Sequence, residues 1–116
     1  MPSCVETLKQ AKALLEKGWC QGKSKPGGPY NILGAIYAIQ FDIDAIYVVS
    51  QMVRKIGFHS TEEYNDREGR TKEQVLEFMD ASIRLAVERE FFNPSLGEPY
   101  TEPVEEETRT KWLPTT

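Results

Sequence analysis

A chain of 116 residues has room for one domain with a modest core, and 18 acidic against 14 basic side chains give a formal charge of −4, which argues against broad nucleic-acid or anionic-membrane binding. Two cysteines, Cys4 and Cys20, and a single histidine form neither a disulfide framework nor a metal-ligand spacing, so reduced thiols and no metal or other cofactor are expected. With no basic leader followed by an apolar core, and no apolar run near the ~20 residues that cross a bilayer, the expectation is a soluble, cytoplasmic protein with no membrane association.

In chain order, Val5, Leu8, Ala11 or Ala13, and Leu14 with Leu15 recur at helical spacing, and Gly18 stands where a helix over residues 3–17 would take a left-handed terminator. The segment "GWCQGKSKPGGPYN" then reads as a loop, with Pro29 and Asn31 as start signals for "ILGAIYAIQ", an uncharged run that a central helix would bury on most sides. Asp42 or Asp44 can cap a third helix with an inward stripe of Ile46, Val49, Met52, Val53 and Ile56, closed by Gly57. The β-branched residues of "AIYVVS" also suit a buried strand. Ser60 with Glu63, and Thr71 with Gln74, each match the reciprocal capping box. The first opens a short helix ended by "REGR", and the second a long one to about Glu90 with Val75, Leu76, Met79, Ile83 and Ala86 inward. From Phe91 the stripe fails: four prolines and five glutamates imply an extended acidic tail over 91–116 after a helical domain of 1–90.

Several motifs invite chemistry. "GKS" at Gly22 to Ser24 lacks the rest of a phosphate loop: Lys17 stands where the first glycine belongs, and "KPGG" follows where a helix should begin. Lys23 and Lys25 ahead of a helix start could attract an anion, with solvated loop lysines as the simpler reading. Cys20, His59 and Asn65 or Asp66 are the residue types of a thiol hydrolase, but Cys20 follows a helix C-terminus, where the dipole disfavours thiolate, so no catalytic set is assigned. Asp66 and Arg70 are spaced to clamp the turn between the two capped helices as an ion pair. In the functional reading, Trp19, Gln21, Asn65, Asp66 and Arg70 converge on one cleft and offer an aromatic wall, amides, a carboxylate and a guanidinium to a small polar ligand.

"GWCQG", "NILGAI" and "YNDREGRTKEQVL" together resemble the family of small helical bacterial and phage proteins known as domain of unknown function 6197. Gly18, Trp19, Gln21 and Gly22 match its first element, Gly34, Ala35 and Ile36 its second, and Asn65, Asp66, Gly69, Arg70 and Thr71 its third. Tyr64 replaces the usual tryptophan, Gln74 the usual glutamate, and Asn31 a frequent cysteine. The resemblance spans roughly residues 5–87 and implies a helical fold without an activity.

The expected fold is therefore all-α, a small bundle of four principal helices plus one short helix with an extended C-terminal tail. Two function classes stay open. One is a non-enzymatic protein-interaction module, of the kind a phage encodes as an accessory or inhibitor protein. Its tail would steer a protein partner through Glu105, Glu106 and Glu107 and anchor it with Trp112 and Leu113. The other is a small-molecule or nucleotide-binding domain centred on the two motif loops, a class in which an enzyme stays open.

Overall fold

The computed structural model describes residues 3–92. Over this span the chain is an all-α bundle of α1 (Cys4–Lys17), α2 (Ile32–Ile39), α3 (Ile43–Lys55), the short α4 (Thr61–Asp66) and α5 (Lys72–Phe92). Each helix begins where a short polar side chain can accept from an otherwise unpaired backbone N–H. Ser3 Oγ accepts from Glu6 N at 3.1 Å, Asn31 Oδ1 from Gly34 N at 2.6 Å and Asp42 Oδ1 from Ala45 N at 3.0 Å. Ser60 Oγ accepts from Glu63 N at 3.0 Å and Thr71 Oγ1 from Gln74 N at 3.1 Å. The box at Thr71 is reciprocal, with Thr71 N donating to Gln74 Oε1 at 3.1 Å. At α4 it is displaced by one residue, because Glu63 Oε1 accepts from His59 N at 2.6 Å.

Helices α1 and α5 run antiparallel. Lys12 pairs with Asp80 at 2.9 Å, and near the far end Lys72 Nζ donates to the Glu16 carbonyl. Leu8, Ala11 and Leu15 of α1 are fully buried, and α5 is also covered by α3. With this second neighbour, and with the Tyr64 ring of α4 stacked 4.6 Å from Phe78, α5 buries Phe78, Ala81, Ser82 and Leu85 besides the expected Val75, Met79 and Ala86, while Leu76 and Ile83 lie at the core margin.

Several local expectations change. "AIYVVS" is helical, since Ala45, Val48, Val49, Met52 and Val53 meet the bundle at helical spacing behind the Asp42 cap. Gly57, at φ 102°, ends that helix as expected. Gly18 is not a left-handed terminator: it is extended at φ −173°, and a Cβ there would lie 3.4 Å from Pro29 Cβ, so the glycine admits a close pass of the returning loop. Helix α2 is not enclosed on most sides; Ile32, Ala35 and Ile36 are buried, but Tyr37 and Ala38 face solvent. Phe91 and Phe92 belong to α5, two positions past the expected end of the helical domain. The tail from 93 to 116, with Glu105, Glu106, Glu107, Trp112 and Leu113, lies outside the described residues. No helix among the described residues is long and apolar enough to cross a membrane.

Burial, followed by the carboxylates of Asp42, Asp44 and Glu90, pushes the Cys4 thiol from its ordinary 9.0 up to about 12, and burial also raises the Tyr64 phenol. Both groups are neutral when protonated, so each contributes stability that is lost as the pH rises past its ordinary value; for Cys4 the contribution is complete below pH 9.0 and is lost as the pH climbs toward about 12. Thermal melting across that alkaline range is expected to fall steadily, with Cys4→Ala removing part of the fall.

Candidate functional site

The loop of residues 18–31 closes on itself before it meets the bundle. Its two ends form an isolated parallel bridge between Trp19 and Tyr30, with Cys20 N donating to Tyr30 O and Tyr30 N to Gly18 O, each at 2.9 Å. Its tip is a turn in which Gly28 N donates to Lys25 O at 2.8 Å and Lys25 N to Pro29 O at 3.0 Å. Ser24 folds back over α2, where its Oγ accepts from Asn31 N at 2.8 Å. Gly34 makes this approach possible, because a Cβ at that position would lie 2.0 Å from Ser24 Oγ and 2.8 Å from Ser24 Cβ.

The two motif loops meet at Asn65, in the last turn of α4 and only 2 % exposed. Its Oδ1 accepts from the Trp19 indole N–H at 2.8 Å and from Ile32 N at 3.1 Å. Its Nδ2 donates to Cys20 O at 3.2 Å and to Asp66 Oδ1 at 2.8 Å. All four hydrogen-bonding positions of the amide are therefore filled. Gln21 Nε2 donates to the Arg67 carbonyl at 2.7 Å and the Asn65 carbonyl at 3.3 Å, and Gly22 N donates to Asp66 Oδ1 at 2.9 Å.

Trp19, Gln21, Asn65 and Asp66 are thus gathered as expected, but their polar atoms are turned on one another and on backbone. Arg70 takes another course. It leaves Asp66 and lies 3.7 Å from the Tyr64 ring centroid, with Nε donating to Tyr64 O at 2.8 Å and a terminal nitrogen to Gln74 Oε1 at 3.1 Å. The expected Asp66–Arg70 clamp is replaced by Arg70 over the faces of Tyr64 and Phe58, two rings that meet edge to face, a contact the aromatic faces favour over an exposed ion pair. Beside Asn65, between α2 and α4, a depression of about 10 Å³ is lined by Asn31, Leu33, Thr61, Glu62, Asn65 and Asp66, which is room for roughly one water.

The other candidate chemistries have equally specific surroundings. Near the start of α2, Asn31 N, Ile32 N, Gly34 N and Ala35 N all donate within the protein, so these four donors are not turned toward an anion. The Cys20 S–H faces the carbonyl oxygens of Lys23 at 3.5 Å and Pro29 at 3.6 Å, and His59 is an exposed residue whose backbone N–H serves the α4 cap. Among the described residues no three His, Cys, Asp or Glu side chains are grouped to hold a metal.

The model of a family of unknown function, DUF6197, matches residues 1–85. The chain belongs to that family. The matched span contains both loops and the Asn65 junction that fastens them to the bundle. Comparison with curated proteins and with solved structures returns no match.

Sequence reasoning named Asn31 as a helix start but missed the seat of Ser24 against it, whose signal was the small residue Gly34 in the first turn of α2. It also missed Tyr37, Phe41, Ile43 and Tyr47, which face solvent around the α2–α3 corner. The Tyr37 and Phe41 rings stack there, 6.0 Å apart and 13° from parallel. Their spacing of four was visible, but the exposure of that face was not.

Two substitutions measure the junction. Asn65→Ala, which orphans the Trp19 N–H, the Ile32 N–H and the Cys20 carbonyl, is expected to cost about 3 kcal/mol or more in chemical denaturation. Asn65→Asp should cost a similar amount at neutral pH, because it keeps the acceptors but sets a carboxylate against Asp66, and should regain part of the loss as acid protonates it. Gly34→Ala should cost about 1–3 kcal/mol by forcing Ser24 off the helix, and adding Ser24→Gly should recover part of that melting loss.

Proposed function

We propose that this DUF6197 domain is a non-enzymatic protein-interaction module that binds its partner through the corner between α2 and α3. The observation that carries the reading is the exposure of large apolar side chains there: Phe41 is 70 % exposed, Ile43 66 %, Tyr37 50 % and Tyr47 47 %. Aromatic rings held rigidly in solvent are the anchors protein interfaces use, since they bury much area with few rotors to immobilise. Grouped exposed apolar residues of this kind mark interaction surfaces more often than singly scattered ones. The interaction role of Glu105, Glu106, Glu107, Trp112 and Leu113 belongs to the same proposal and rests on sequence alone.

The alternative, a small polar ligand or nucleotide held by Trp19, Gln21, Asn65, Asp66 and Arg70, draws on the convergence of the first four. A volume of about 10 Å³ and an amide with all its positions filled favour the interaction reading, with the motif junction as scaffold.

Replacing Phe41 by photoreactive p-benzoylphenylalanine and irradiating cells of the native host should crosslink one discrete partner. The same residue at exposed Glu73, in the first turn of α5, should not. Equal crosslinking from both positions, or none from Phe41, would remove the α2–α3 corner as an interface.

A further inference from the structure

We infer that the partner of the α2–α3 corner presents a cationic, apolar segment, with Lys or Arg side chains flanking the group that packs on Tyr37 and Phe41. This deepens the interaction reading above and rests on it. The corner lies at the end of the bundle where α1 begins and α5 finishes, and its rim is acidic. Asp42, Asp44 and Glu90 all lie near enough to Cys4 to act on its thiol. Asp44 is exposed in the first turn of α3, where the helix dipole also favours a carboxylate. Of the charged groups that act on Cys4, three are carboxylates and one is the cation Arg89, which sits 4.9 Å from the Tyr47 ring centroid and donates to Gln51 Oε1 at 3.2 Å.

Charge then discriminates among occupants. A second copy docked on the same face across a two-fold axis would set the acidic rim against itself. Residues 93–116 carry five glutamates against Arg109 and Lys111, so their net charge has the same sign as the rim. A foreign segment bearing guanidinium or ammonium groups meets the carboxylates with opposite charge and the stacked rings with cation–π attraction. Such a segment fits both halves of the surface.

The test uses the full chain and amide NMR shifts, with a short synthetic peptide of alternating leucine and arginine as probe and its leucine–glutamate counterpart as control. The arginine peptide should perturb residues 37–47 and bind about tenfold more tightly than the glutamate peptide, a preference that rising salt erodes. Tyr37→Ser with Phe41→Ser, and separately the surface change Asp44→Lys, should each weaken binding about tenfold. Equal affinity for both peptides, or shifts centred on the motif loops, would overturn the inference. So would shifts at residues 37–47 produced by Trp112→Ala with Leu113→Ala, which would name the tail as occupant, or by dilution of the free protein, which would name a second copy. A partner crosslinked from Phe41 combined with no preference for the arginine peptide would leave the interface standing and remove only this partner chemistry. Failure of both would remove the interface as well.

Discussion

The buried amide of Asn65 is the constraint on which the arrangement of this domain depends. A primary amide taken out of water loses hydrogen bonds worth several kcal/mol unless each is replaced, and here two acceptor and two donor positions are all used. The partners come from three places: the loop after α1, the first residue of α2, and the neighbouring side chain in α4. Neither α2, with eight residues, nor α4, with six, is long enough to persist as a helix alone. Their position is set by packing on α1 and α3 and by this one polar junction, whose directionality fixes a register that apolar contacts alone leave loose.

From that junction the order of the loop follows. Trp19 and Cys20 are held by the amide while Tyr30 pairs with the same stretch of backbone, so both ends of the loop are fixed together. Ser24 can then seat on α2 over Gly34. On its other side α4 is tied to α5 through Arg70 packed on Tyr64 and through the Tyr64 hydroxyl, which donates to Gln74 O at 3.2 Å. A six-residue helix thus links the loop to the longest helix of the bundle.

The two ends of the bundle consequently differ in character. At the motif end, polar side chains face inward and answer one another, which suits a scaffold. At the opposite end, α2 and α3 turn a corner where Tyr37, Phe41, Ile43 and Tyr47 stay exposed, with Tyr37 stacked on Phe41 and Arg89 over Tyr47, and burial followed by the nearby carboxylates raises the Cys4 thiol. The interface proposed above lies at this second end.

Helix starts were legible in the sequence because capping is local: Asn31, Asp42, Ser60 and Thr71 act on donors two or three residues away, and no distant contact is needed to place them. The all-α class and the inward faces of α1 and α5 followed from apolar spacing for the same reason. What lay beyond reach depends on neighbours. Ala11 rather than Ala13 is buried because of where the neighbouring helices lie, and α2 exposes Tyr37 because no helix among the described residues covers that side. Gly18 serves a close pass by Pro29 instead of a left-handed turn, since the loop returns over it. Arg70 stacks on Tyr64 instead of pairing with Asp66 for a related reason: a planar cation beside a buried ring gains more than an exposed ion pair does. Periodicity along a chain reports which faces are apolar, whereas burial is a property of pairs of faces, and only the tertiary structure decides which pairs form.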